Sequence, residues 1–252
     1  MTTQILSQPL SRIALGGFAL AVIAALTLGL AGGGYRLGWW DFRLGLTIFR
    51  WAAYGGLAAT LLSLLGGIVT RPGSARRGFP LAVIGLSIGL VATWIPWQWG
   101  RVAQRVPMIH DITTDTETPP TFVAVLPLRA GAPNSVEYGG PELAAQQRAG
   151  YPDMAPLTLP MPPAQAFPHA LTAARDMGWE IVASEPTEGR IEATATTLWF
   201  GFKDDVVVRI TPVGSGSRID VRSVSRVGKS DVGANAQRIT EYLGRVTRAV
   251  AS

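Results

Sequence analysis

Phe200-Gly-Phe-Lys-Asp-Asp-Val-Val-Val-Arg-Ile210, a Gly214-Ser-Gly216 turn, and Arg218-Ile-Asp-Val-Arg-Ser-Val-Ser-Arg-Val-Gly-Lys-Ser-Asp-Val-Gly-Ala-Asn-Ala-Gln-Arg-Ile239 together decide the fold. Val206, Val208 and Ile210 alternate with their neighbours, as do Ile219 and Val221 on the second arm. A period of two marks strands, and a glycine turn between two such arms makes a β-hairpin. Beyond it Ser230 or Asp231 is placed to cap a helix over residues 232–250, with Ile239, Leu243, Val246 and Val250 on one stripe. The alternation predicts a sheet covered on one side only.

Upstream, Phe167, Ala170, Leu171 and Ala174 recur at helical spacing within residues 164–177, and Gly178 ends that run. Residues 179–185 and 190–196 read as two strands around a Pro186–Gly189 turn. The expected fold class is therefore α+β. Its order is α-β-β-β-β-α, a four-stranded antiparallel sheet with two helices on one face, over residues 163–252. About 90 residues suffice for such a core.

Residues 106–162 are rich in proline and turn formers, including Thr113-Thr-Asp-Thr-Glu-Thr-Pro-Pro120 and Met154-Ala-Pro-Leu-Thr-Leu-Pro-Met-Pro-Pro163 at its end. Proline fixes φ and lacks a donor, so an extended connecting segment is expected, with one short helix at 140–149 and one strand at 121–126. His110-Asp-Ile-Thr-Thr-Asp115 sets an imidazole beside two carboxylates, but the only other histidine is His169. The spacings of metal sites are absent, so no metal or cofactor is expected, and local turn hydrogen bonds account for the residues.

Residues 13–35, 51–70 and 78–100 contain no charged side chain. A hydrocarbon core of about 30 Å needs about 20 helical residues, so residues 1–105 are expected to form an anchor of three transmembrane helices, the first retained and not cleaved as a signal. Trp39, Trp40, Trp51, Trp94, Trp97 and Trp99 gather at the span ends, as interfacial indoles do. Gly85-Leu-Ser-Ile-Gly89 fits a small-xxx-small packing pattern.

Charge follows the same division. Residues 1–105 hold nine Arg and one acid, Asp41, whereas 106–252 hold thirteen basic and sixteen acidic residues. The basic pI thus belongs to the spans, where Arg orients helices, and nucleic acid is not an expected partner. Arg71, Arg76 and Arg77 mark the second loop as cytoplasmic, against the pull of Arg101 and Arg105. That predicts a multi-pass inner (plasma) membrane protein with a cytoplasmic N-terminus and an extracytoplasmic C-terminal domain. The absence of cysteine excludes thiol catalysis and disulfides.

Phe202-Lys-Asp-Asp-Val206, followed by Arg222-Ser-Val-Ser-Arg-Val-Gly-Lys-Ser-Asp-Val-Gly-Ala-Asn235 and Arg238-Ile, resembles the signature of the domain-of-unknown-function family 1499 over roughly the last 90 residues. The resemblance implies a fold and the location of a site, and no reaction. Members usually carry an upstream Pro-Asn-Cys type motif, from which this cysteine-free chain departs.

The candidate ligand- or partner-binding residues are Asp204, Asp205, Arg209, Arg222, Ser223, Ser225, Arg226, Ser230, Asp231, Asn235 and Arg238. Arg209, Arg218, Asp220 and Arg222 alternate onto the face opposite the valines, and Arg226 and Lys229 flank a helix N-terminus suited to an anionic group. The plainer reading pairs Asp204 and Asp205 with Arg222 or Arg226 and fixes the corner. Adjacent carboxylates on a strand point to opposite faces, so Asp204 and Asp205 do not form an acid/base pair. A serine nucleophile at Ser223 or Ser225 requires His169 within reach. The expectation is a non-catalytic binding or scaffolding module that meets the lipid bilayer and a membrane or periplasmic protein partner. The alternative is a small hydrolase or lipid-modifying enzyme using the Asp/Arg/Ser corner.

Overall fold

A computed structural model describes residues 8–251. They divide into two compact units, one running through Arg101 and including Trp199–Gly201, the other Val102–Leu198 with the C-terminal residues from Phe202.

Among the described residues, three helices are long and apolar enough to cross a membrane: α1 (Arg12–Arg36), α2 (Phe42–Val69) and α3 (Phe79–Ala103). Ser11 caps α1, and the Asp41 carboxylate accepts from the N–H groups of Arg43 and Leu44 at the start of α2. The chain inverts the pattern of a soluble bundle. Ala14, Gly17, Ala21, Ala24, Leu28 and Ala31 are buried on α1, and Gly45, Ala52, Gly56, Ala59, Ser63 and Gly66 on α2, whereas Ile23, Leu26, Leu61, Leu65 and Ile68 are exposed. Steps alternating between three and four residues place the small side chains on one seam, so backbones approach while large apolar groups face outward. The Gly85/Gly89 pair belongs to this seam. A Cβ at Gly85 would lie 2.6 Å from Ser63 Oγ and 2.9 Å from Phe18 Cα, and one at Gly89 would lie 2.9 Å from the Gly56 carbonyl oxygen.

The second unit is α+β, as expected, with more strands than expected. β3 (Glu180–Glu185), β4 (Arg190–Thr196), β5 (Lys203–Val213) and β6 (Gly216–Ser225) form the antiparallel meander read from the sequence. Two short strands, β1 (Asp111–Thr113) and β2 (Leu157–Leu159), pair with the outer edge of β6, giving a six-stranded sheet. Residues 106–162, read as an extended connecting segment, thus supply two strands and fall in the same compact unit as the rest of the domain. Helix α4 (Gly140–Gly150) lies where one short helix was expected. No strand forms at 121–126; the chain there turns into a 3-10 helix (Leu126–Arg129) because its amides bond a side chain instead of a neighbouring strand.

Helices α5 (Pro163–Asp176) and α6 (Ala234–Ala251) cover one sheet face. Phe167, Ala170, Ala174, Ile239, Tyr242 and Val246 pack there on Ile191, Ala193, Val206, Val208, Ile219 and Val221. Tyr242 is fully buried, stacks on Trp179 at 4.9 Å and donates to the Ala170 carbonyl at 3.0 Å, tying α6 to α5. The expectation of a sheet covered on one side only is corrected. Phe122, Val125 and Val136 pack on Val182, Val207 and Val224 across the opposite face, so residues 114–139 form a strap over it.

Substituting Gly85→Leu is expected to lower the thermal unfolding midpoint of the full chain in mild detergent, read by tryptophan fluorescence. Gly33→Ala, where an added Cβ has no neighbour within 4 Å, does not lower the midpoint.

Candidate functional site

The hairpin and corner do collect the candidate residues, but the sheet separates them into two buried clusters. Side chains alternate across the pleat. Asp204, Ser223 and Ser225 therefore face α6, while Asp205, Arg209, Arg222 and Arg226 face the strap.

On the helix side, Arg238 of α6 donates to Asp204 at 2.5 Å and to Ser223 Oγ at 3.0 Å. Ser223 Oγ donates to Asn235 Oδ1 at 2.7 Å, and Asn235 Nδ2 donates to Ser225 Oγ and to the His110 carbonyl. Asn235 is fully buried and every heteroatom of its amide is used. Asp231 caps α6, accepting from the Gly233 N–H at 2.9 Å and the Asn235 N–H at 2.7 Å, and Ser230 Oγ accepts from the Val232 N–H at 3.1 Å. Burial pushes the Asp231 carboxyl above its ordinary value, against the pull of those two N–H groups. The corner bends sharply enough to hold Val232 at φ 54°, a left-handed conformation that β-branched residues rarely adopt.

On the strap side the charges are more tightly enclosed. The Arg222 guanidinium forks onto Asp111 at 2.9 and 2.7 Å, and donates to the carbonyls of Pro120 and Val136. It lies 5.4 Å from the ring centres of both Phe122 and Tyr138. Asp205 is fully buried and accepts from Arg129 at 2.6 Å, from Arg226 at 2.9 and 2.8 Å, and from Thr194 at 2.7 Å. Burial alone would raise its carboxyl; the hydrogen bonds from Arg226, Thr194 and Arg129 outweigh that and hold it below the ordinary range. Toward the far end of the sheet, Arg209 and Arg218 bridge Asp115 and Asp220 at 3.0 to 3.2 Å. The Asp115 carboxyl is lowered too: the backbone N–H groups of Thr118 and Glu117 and the two arginines overcome its burial.

Several residues in this layer carried no signal as candidates. Glu192 is fully buried, accepts the successive N–H groups of Val123, Ala124 and Val125 at 2.9 to 3.0 Å, and is also bonded by Arg190. Its alternation with Ile191 and Ala193 reads in sequence as a solvent-facing position. Arg129 lies in the stretch read as an extended connecting segment, where Asp111 reads only as a neighbour of His110 and proves to be the partner of Arg222. Asn134 donates to the carbonyls of Ser225 and Gly228 at 3.0 and 2.8 Å.

Chemically the arrangement is one of mutual commitment. Asp204 and Asp205 face opposite ways, each held by arginine. Among the described residues, His169 makes no hydrogen bond to Ser223 or Ser225, and no cluster of three or more metal-ligating side chains forms. Beside the corner a groove of about 350 Å³ is lined by Met108, His110, Glu142, Leu143, Gln146 and Lys229.

A family model described as "Protein of unknown function (DUF1499)" matches residues 111–246. That match begins at β1 and so includes the strap. No curated protein matches. The crystal structure of TTHA0849 from Thermus thermophilus is similar at 16% identity, covering 38% of this chain and 95% of its own, with a TM-score of 0.26, too low to carry an argument.

Breaking a buried pair by removing one partner costs about 3–5 kcal/mol. Arg222→Ala is expected to destabilise the domain by that amount in denaturant titration of the full chain, and Arg222→Lys to recover only part of it, since an ammonium lacks the planar fork. The pH dependence follows from the lowered carboxyls. Asp205 and Asp115 stabilise the fold fully above an unfolded-state value of about 4, and that contribution is lost as pH falls through their lower folded-state values. Acid titration of the unfolding midpoint is expected to drop below about pH 4. Asp205→Asn flattens that limb while lowering the neutral-pH plateau.

Proposed function

From the premise that this chain belongs to the DUF1499 family, a family of unknown function, we propose that it is a membrane-anchored, non-catalytic binding or scaffolding module whose α+β domain stands on the extracytoplasmic side of the inner membrane. One observation carries the reading: Asp204, Asp205, Arg222, Arg226 and Arg238 of the family signature are turned inward and held in ion pairs by one another or by Asp111 and Arg129, so they stiffen the domain. A general acid, base or nucleophile must reach substrate with a hydrogen-bonding position to spare. Ser223 and Asp205 have theirs filled by protein.

What such a rigid corner offers is shape at its rim. Among the described residues, Lys229 makes no hydrogen bond or ion pair, and it lines the groove together with His110 and the apolar Met108 and Leu143. A carboxylate from a partner protein, flanked by an apolar side chain, matches those groups. Sidedness rests on the loop bearing Arg71, Arg76 and Arg77, which the positive-inside tendency assigns to the cytoplasm.

Two measurements test the reading. Purification of the full chain in mild detergent is expected to retain a protein partner that Lys229→Glu releases. Recovery of the chain alone under both conditions contradicts a binding role. Protease added to intact spheroplasts is expected to digest the C-terminal domain; protection until the cells are broken would reverse the sidedness.

A further inference from the structure

The connection between β4 and β5 is a short, closed finger. The Thr197 N–H donates to the Phe202 carbonyl at 2.9 Å, and the Phe202 N–H returns to Thr197 Oγ1 at 2.8 Å. Only Leu198, Trp199, Phe200 and Gly201 lie between, with Gly201 supplying the φ of +72° that closes the turn. A water-facing hairpin of this kind is normally tipped with polar residues and glycine. This one is tipped with Leu-Trp-Phe.

Two of those side chains pack within the helical unit. Phe200 is 1% exposed, with Phe49 at 6.1 Å and Trp99 at 6.5 Å between ring centres, and its ring occupies space that only Gly45 leaves. Trp199 packs edge-on against Phe49 at 5.4 Å and over Gly32, where a Cβ would come within 2.6 Å of the indole. Its Nε1 donates to the Gly29 carbonyl at 3.4 Å. Gly29 lies seven residues before the end of α1, which is about 10 Å along the axis. Trp199 also walls an apolar groove of about 590 Å³ with Leu28, Ile88, Val91 and Ile95.

The neighbouring Leu198 is 91% exposed, more than any other large hydrophobic residue described. Leucine is among the residues that favour hydrocarbon, and indoles concentrate at the headgroup level.

We propose that the β4–β5 finger is a fourth membrane contact of this protein, with Leu198 inserted among the lipids at the interfacial level of α1. Its occupant is the bilayer itself. The irregular backbone stays at the headgroup boundary, because unpaired peptide groups are excluded from the hydrocarbon centre. The proposal stands independently of any binding partner.

The chain has no cysteine, so one engineered thiol reports one site. Leu198→Cys and, in the exposed turn between β5 and β6 at the other end of β5, Ser215→Cys are each labelled with an environment-sensitive NBD dye on the full chain in phosphatidylcholine/phosphatidylglycerol nanodiscs. For Leu198→Cys the expected result is a blue-shifted emission, quenched by lipids bearing a nitroxide high on the acyl chain and spared by aqueous iodide. Ser215→Cys is expected to behave in the opposite way. Quenching of the Leu198 label by iodide to the extent seen at Ser215 would overturn the proposal, as would insensitivity to both quenchers, which places the side chain against protein.

Discussion

The α+β unit of this protein depends on one constraint: a charge taken out of water must be matched atom for atom. Arginines and carboxylates lie between the sheet and the strap of residues 114–139, where isolated charges would be untenable. The Arg222–Asp111 fork meets the requirement by joining the last long strand to the first short one, 111 residues apart. Glu192 meets it by accepting three consecutive amides of the strap. These bonds contribute little net stability over an apolar layer of the same shape, yet each is costly to break. They therefore select one position of the strap.

Burial and pairing give the family signature a structural meaning. Asp204, Asp205, Arg222, Ser223, Ser225, Arg226, Asn235 and Arg238 look in sequence like one polar site on a corner. Folded, they form two networks on opposite sides of a sheet. The helix-side network fixes α6 through Asn235, which reads β6 and the His110 carbonyl together. The strap-side network fixes the segment before α4. Membership of DUF1499, matched from residue 111 onward, thus coincides with the parts these networks join.

The helical unit solves a different problem by a different route. Lipid gives no reward for hiding leucine, so the seam between helices is made from Ala, Gly and Ser, and close backbone approach supplies the packing. Gly85 and Gly89 serve this contact within the chain. The same economy of volume admits Trp199 over Gly32 and Phe200 beside Gly45.

The sequence by itself determined what local period and composition can encode. Charge-free runs of membrane length, the two-residue alternation of β3 to β6, and the helical stripes of α5 and α6 were legible, as was the opposition of Asp204 and Asp205 across a strand. The Asp205–Arg226 pair was among the pairings offered by the sequence. Tertiary structure alone decided the strands β1 and β2, the second covered face and the partners of Asp204, Arg222 and Glu192. The reason is physical. An alternating polar face looks the same whether water or a strap covers it, and a proline-rich run looks the same whether it is a tether or part of the sheet. Only the residue on the other side distinguishes them, and for Arg222 and Glu192 that residue lies 111 and about 70 positions away.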